Sequence, residues 1–274
     1  WGLYEIPVLL RDGVVLPSID PLQALQKGEF NRVPVLMGTN RDEVKTMMTR
    51  RPDYIELRFG LLPRVADQAL FDRVTGYGSA MWKVLGADDP ARAMALAGHE
   101  PIYIYRFDWD ETPDALLVDF GSLLGAGHSL EIPFVFHDMD NEMEYLPFDL
   151  ITDENRERAS ALADDMSAYW LAFARGGAPG RGAGNPASSW PAWGAEENFL
   201  VLDTAAGGGV RTAQGGVQRD AVYRQLAGDA AALGGSEAVC RAYDNLFGQD
   251  SIFRFSTGCD GADDCPAARK HFCD

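Results

Sequence analysis

No run of about 18 or more apolar residues occurs anywhere in the 274-residue sequence, which excludes a membrane-spanning helix. Positive charge is scarce: 24 Lys and Arg stand against 41 Asp and Glu, a formal charge of −17. Nucleic acid, whose phosphates demand a basic surface, is therefore excluded as a partner. The imbalance favours solubility and fits a salty or extracellular setting, without bearing on the fold. Cysteine is confined to positions 240, 259, 265 and 273, and no Cys-x-x-Cys pair occurs, which argues against a metal site there. An even count in a Gly- and Asp-rich tail reads instead as two disulfides, expected of a secreted or periplasmic protein; three pairings are open. The opening residues WGLYEIPVLLRDG show no leader pattern and look like the middle of a structure. There is no internal repeat.

What is present is ordinary for a globular protein: 46% apolar and 24% charged residues, enough chain for one large or two small domains. Residues 6–20 read as loop plus a short extended piece. The run VPVLM at 33–37 reads as a strand buried on both faces that stops at Gly38-Thr39-Asn40, and IYIYRF at 102–107 as a second. Residues 54–97 mix helical spacing with Gly and Pro breaks and read as several short helices. Leu162, Met166, Tyr169, Trp170 and Phe173 share one face of a helix over 154–174, capped by Thr152 or Asp153 and stopped by Gly176-Gly177. Phe199–Leu202 reads as a short edge strand, and 236–247 as a helix capped by Ser236 and ended by Gly248. The order of strands and helices is that of an α/β protein.

The stretch LLGAGHSLEIPFVF at 123–136 is the place for chemistry. Gly125 and Gly127 permit backbone geometry that side chains forbid, so His128 is expected on a tight loop. Glu131 lies three residues on, and Phe134, Val135 and Phe136 form a strand-like anchor. A histidine so presented can serve as a general base near neutral pH. A packed loop histidine is the other reading, and this stretch alone leaves both open.

Three segments in series resemble the type-B carboxylesterases, the cholinesterase-like branch of the α/β-hydrolase fold. PVLMGTNRDEV resembles the segment carrying that family's triad acid. YIYRFDWD followed by GAGHSLEIPFVF resembles its histidine segment. DDMSAYWLAFARGGAPG, then WPAW and LVLD, resembles its tail. The likeness implies that residues 1–274 form the C-terminal portion of one α/β-hydrolase domain, a mostly parallel sheet flanked by helices. The residues themselves read as a helical cap-like segment at 54–97 and a helix plus cysteine-rich tail at 236–274. Glu43 would then be the triad acid and His128 the base, in the chain order acid then histidine that the fold uses. Asp42 is the local rival, and Val44 departs from the glycine the family usually has. Glu131 matches a carboxylate buried behind the family's histidine, which implies a supporting hydrogen bond; a surface salt bridge is the alternative.

No Gly-x-Ser-x-Gly occurs in the sequence. Gly234-Gly235-Ser236-Glu237-Ala238 follows the histidine, at the start of an expected helix, and fails in order and context. The resemblance therefore implies that the serine and the oxyanion loop lie in an N-terminal half. That half is expected as a second polypeptide completing the sheet after cleavage of a connecting loop, because buried strands would otherwise present unpaired edges. The implied activity is serine-dependent ester hydrolysis without a cofactor, on small-molecule or lipid-like esters. The alternative is a catalytically inactive cholinesterase-like binding or adhesion protein, against which the presence of both acid and histidine argues.

Other signals are weaker. His99, His137 and His271 lack surrounding motifs and read as surface or packing residues. Asp138, Asp140, Glu142 and Glu144 alternate as in a calcium loop but lack the required glycine, so a solvated acidic loop is expected, as for Asp260, Asp263 and Asp264. Phe59, Phe71, Tyr77 and Trp82 could line a pocket, although aromatics at helical spacing more often form core.

Overall fold

The computed structural model describes residues 12–16, 18–140, 149–183, 188–248 and 272–273. Helix α1 (Pro21–Lys27) leads into β1 (Val35–Asn40), and a turn into α2 (Lys45–Met48). A hairpin of β2 (Ile55–Arg58) and β3 (Leu62–Val65) precedes α3 (Gln68–Lys83), which passes through a π-helical turn at Val84–Asp88 into α4 (Asp89–Leu96). Strand β4 (Ile102–Phe107) is followed by α5 (Phe120–Leu124), α6 (Ile132–Phe136) and the long α7 (Arg156–Gly176). Then come β5 (Phe199–Leu202), β6 (Arg211–Ala213), α8 (Arg219–Gly228), α9 (Ala230–Leu233) and α10 (Ser236–Phe247).

The main sheet has the order β1-β4-β5-β6, with the first three strands parallel and β6 antiparallel. Successive side chains of a strand point to opposite faces. Tyr103, Phe107, Leu200 and Leu202 accordingly feed one core, beneath α7 and α3. Ile102, Ile104, Phe199 and Val201 feed a second, against the π turn and α4. Because both faces are covered by helices, the strands read as near-continuous apolar runs rather than alternating ones. Trp190 ties the first core to the sheet by donating Nε1–H to the Ile104 carbonyl at 3.0 Å, with Tyr169 and Trp170 packed around it.

Several elements differ from their sequence reading. Strand β1 runs on through Gly38-Thr39-Asn40 instead of stopping there. Gly38 pairs with Tyr105 across the ladder, and a Cβ on it would lie 2.4 Å from that ring, so this glycine marks a close approach inside a strand. The region 54–97 is a hairpin and one nearly unbroken helical run, not several short helices. Gly60, with φ 72°, turns the hairpin, whereas Gly76, Gly78 and Gly86 lie within the helical run as open surface or contacts rather than breaks. Phe199–Leu202 is interior, all four residues buried, because the three-residue β6 covers its outer side. The strand-like Phe134–Phe136 belongs to α6: Pro133 in its first turn cannot donate to a ladder but suits a helix start. Helix α10 begins behind Gly235 rather than under a Ser236 cap. Asn155, not Thr152 or Asp153, precedes α7, its side chain accepting from Thr152 N and donating to the carbonyls of Leu150 and Glu111. No strand forms among residues 12–16 and 18–20; residues 6–11 lie outside the described residues.

A disulfide joins Cys240 on α10 to Cys273, and Phe272 stacks on Tyr243 beside it. Cys259, Cys265, His271 and the acidic residues at 142, 144, 260, 263 and 264 lie outside the described residues. Asp140 pairs with Arg156, and His137 with Asp164.

Two glycines of α3 give opposite expectations. A Cβ on exposed Gly76 would meet nothing within 4 Å, so Gly76→Ala gains about 0.5–1 kcal/mol of stability from helix propensity. A Cβ on Gly78 would lie 2.9 Å from fully buried Leu246 and Val44, so Gly78→Ala loses about 1–3 kcal/mol by overpacking. Chemical denaturation of the two variants checks this sign reversal two residues apart.

Candidate active site

The chain leaves β1 at Asn40 and turns through residues 41–44 into α2, which folds Glu43 back beneath the strand end. Glu43 is 5% exposed, and its Oε1 accepts the Asn40 backbone N–H at 2.8 Å. The second half of the site comes from the loop after α5. That helix ends at Gly125, with φ 54° and ψ −145°, a conformation essentially reserved for glycine. A Cβ there would lie 2.4 Å from Asp42 Oδ2, and one on Gly127 would lie 2.7 Å from Thr46 Oγ1. Both glycines thus allow the histidine loop to lie directly on the turn after β1. Asp42 N donates to the Ala126 carbonyl at 2.9 Å, and Ala126 N donates to Asp42 Oδ2 at 3.0 Å.

This docking brings His128 Nδ1 to 2.6 Å from Glu43 Oε2, across 85 residues of sequence. An ionised carboxylate only accepts, so Nδ1 carries the proton and Nε2 of the neutral ring is left as the basic nitrogen. The bond to Glu43 raises the His128 pKa above its ordinary 6.5, with the charges of Glu43 and Glu131 adding to it and partial burial opposing. Trp82, near the end of α3, sets its ring against the imidazole at a centroid distance of 5.2 Å. Glu131 Oε2 accepts from Asn40 Nδ2 at 2.5 Å, a hydrogen bond rather than a surface salt bridge. Tyr105 lies near both glutamates; burial first, then their charge, holds its hydroxyl protonated far above neutral pH.

Asp42 is engaged elsewhere: Arg41 grips it through Nε and one terminal nitrogen at 2.9 and 2.8 Å and reaches Asp110 at 2.7 Å. A polar cleft of about 560 Å³ lies behind the loop between Arg41, Lys45, Asp72, Asp110 and Ser122. Its cations are paired, Lys45 with Asp72 at 2.7 Å. Among the described residues, the group close enough to hold a metal is Cys240, Asp244 and Cys273, whose cysteines are already joined to each other.

The para-nitrobenzyl esterase of Bacillus subtilis is 31% identical over 207 residues, covering 70% of this chain and 38% of its own length. The chain belongs to the type-B carboxylesterase family. The fumonisin B1 esterase of Sphingopyxis macrogoltabida is 29% identical over 231 residues, 74% of this chain and 38% of that protein. Among solved structures, a carboxylesterase from Geobacillus stearothermophilus superposes with a TM-score of 0.52 at 28% identity, over 77% of this chain and 43% of that one. Esterase EstA of Aspergillus niger shares the fold, with a TM-score of 0.50 at 20% identity, over 79% of this chain and 44% of its own. No protein-family model matches. The chain spans about two-fifths of the length of the curated relatives it matches, corresponding to their C-terminal region. The fold is that of the α/β-hydrolases.

Against this family the departure at Val44 has a local explanation. Its methyl groups fill the space over Gly78 of α3, and its backbone N–H donates to Ser79 Oγ at 3.2 Å. The sequence reading placed Glu43, His128 and Glu131, and the structure brings all three to one point. It passed over Asn40 and Arg41, although an Asn ending a buried strand, two residues before charged Asp42 and Glu43, was a visible signal. Of the four aromatics, Phe71 and Tyr77 are core, Phe59 is exposed, and Trp82 alone touches His128. His99 is a packing residue, edge-on to Phe30.

Because the folded pKa of His128 is raised, the imidazolium–Glu43 pair stabilises the fold fully below pH 6.5, and the gain is lost as pH rises through the higher folded value. Denaturation of wild type and Glu43→Gln at about pH 6 and about pH 9 checks this. The gap between them is expected to narrow at the higher pH; a gap independent of pH contradicts the assignment.

Proposed function

We propose that the protein is a carboxylic ester hydrolase working through a serine acyl-enzyme, with Glu43 as triad acid and His128 as general base. The carrying observation is the 2.6 Å bond from His128 Nδ1–H to buried Glu43, which leaves Nε2 as the proton acceptor. In this reading Nε2 takes the serine proton as Oγ bonds to the ester carbonyl carbon, and the carbonyl electron pair moves onto oxygen. Collapse expels the alcohol, which leaves with the proton from Nε2. A water then repeats the sequence on the acyl-serine and releases the acid. Glu43 holds the ring in the correct tautomer and stabilises the imidazolium between the two transfers.

The serine and the backbone amides of the oxyanion hole come, in this proposal, from the N-terminal half of the enzyme as a second polypeptide. Its strands continue the sheet beyond β1, the edge of the sheet among the described residues. The names of the relatives support an ester substrate, para-nitrobenzyl esterase and fumonisin B1 esterase both being named for ester cleavage. Uncharged, small-molecule or lipid-like esters are the proposed class. The Cys240–Cys273 disulfide supports an oxidising, secreted or periplasmic setting, and no described helix is long and apolar enough to cross a membrane.

Hydrolysis of a short-chain para-nitrophenyl ester by the assembled enzyme tests the roles. His128→Ala is expected to lower kcat by about 10³-fold or more, and Glu43→Gln by about 10²–10⁴-fold, with KM little changed. Equal turnover by His128→Ala and wild type overturns the assignment. Intact-mass measurement of the active protein tests the second polypeptide: two components support it, and one continuous chain replaces it with the same half in cis.

A further inference from the structure

His128 has two carboxylates beside it, and only Glu43 bonds to it. The difference lies in one residue. Asn40 is the last residue of β1, 2% exposed and held by the ladder opposite Phe107. Its backbone N–H occupies Glu43 Oε1 at 2.8 Å, so Glu43 presents Oε2 to the ring. Its amide spends one N–H on the carbonyl of Gly127, the residue before His128, at 2.7 Å, and another on Glu131 Oε2 at 2.5 Å. We propose that Asn40 is a positioning residue that sorts the two carboxylates, committing Glu43 to the imidazole and holding Glu131 out of contact with it. The proposal rests on the reading of His128 as a general base.

The chemistry requires an amide at this place. Two acceptors, a carbonyl and a carboxylate, converge on Nδ2, and a side-chain Nδ2 supplies two donors and no charge. Aspartate would set an acceptor against both. Alanine would leave both unpaired and free Glu131 to approach the ring. The groups facing the imidazole are Glu43, Glu131 and the Trp82 ring, with the Tyr105 hydroxyl, neutral at working pH, near both glutamates. A freed Glu131 would add a second carboxylate contact to the protonated ring and make His128 a base that holds its proton too long.

The test is an NMR titration of the isotope-labelled His128 ring in the full-length protein, for wild type, Asn40→Ala, Glu131→Gln and the double variant. Asn40→Ala is expected to raise the His128 midpoint by about half a pH unit or more, because a carboxylate, opposite in sign to the imidazolium, moves closer. Glu131→Gln is expected to lower it, and in that background Asn40→Ala is expected to produce no rise. Asn40→Ser, whose hydroxyl can serve one acceptor but not both, is expected to give a smaller rise and replaces Asn40→Ala should that variant fail to fold. An unmoved midpoint in the folded variant, or an equal rise with and without Glu131, overturns the proposal, since a purely structural asparagine would act in both backgrounds alike. The titration needs no ester turnover. A normal set of midpoints in a protein without esterase activity counts against the proposed function alone, and an active enzyme with unmoved midpoints counts against the sorting role alone.

Discussion

A histidine carried on an irregular loop keeps a fixed partner only if something without freedom of its own holds that loop, and for His128 it is the double exchange between Asp42 and Ala126. Asp42 gives its backbone N–H to the Ala126 carbonyl and receives the Ala126 N–H on its carboxylate. The carboxylate cannot swing, because Arg41 grips it by two nitrogens and is itself held by Asp110. Ordering a backbone residue costs about 1–2 kcal/mol, so a loop of several residues needs such fixed partners on its whole length. The approach is close enough that Gly125 and Gly127 are sterically required. Asp42 is therefore not a failed rival of Glu43. It secures the loop on which Glu43 finds its partner.

The larger arrangement follows from the parallel sheet. Strands β1 and β4 are neighbours, and both deliver their following loops at the same, carboxyl, end. Glu43 follows β1 at once. The histidine comes later after β4, because the chain first lays α5 against the hairpin and α2. Beyond the histidine, α6 inserts Phe134 between Phe107 and Trp109 at centroid distances of 5.1 and 5.0 Å. That fully buried ring anchors the far side of the loop to the very strand the loop departed from. The loop is thus fixed at one end by polar exchange with β1 and at the other by aromatic packing on β4.

What the sequence disclosed, and what it concealed, divides along physical lines. Strand β4 and helices α7 and α10 were legible because burial imposes a period on long apolar segments. Glu43 and His128, which the structure brings within 2.6 Å of each other, were singled out through the order of three segments. Glycine misled twice: Gly38 read as part of a strand's stop and the glycines of 54–97 as helix breaks, when Gly38 and Gly78 are places where a neighbouring side chain needs the space of a Cβ. Local sequence cannot tell those uses apart, because the partner, Tyr105 or Val44, is distant along the chain. Strand β6 was missed because three residues with a polar face have no period to show. Phe134–Phe136 was misread because an apolar run of that length is equally a strand or a helical turn, and Pro133 alone decided it.

Helix α3 shows how far the site reaches into the ordinary packing of the fold. Gly78 receives the Val44 methyl groups, Ser79 accepts the Val44 N–H, and Trp82 meets the His128 ring. Positions 78, 79 and 82 fall on one helical face, since residues three and four apart are neighbours there. One turn of helix therefore touches both Val44, the residue after Glu43, and His128. Within the 54–97 segment, α3 thus packs directly against the Glu43–His128 pair's surroundings. The bulk of Val44 fits against α3 because that helix presents a glycine at 78, so the two positions are sterically coupled: a larger residue at 78 would press on Val44, and through it on the adjoining Glu43 beneath the end of β1.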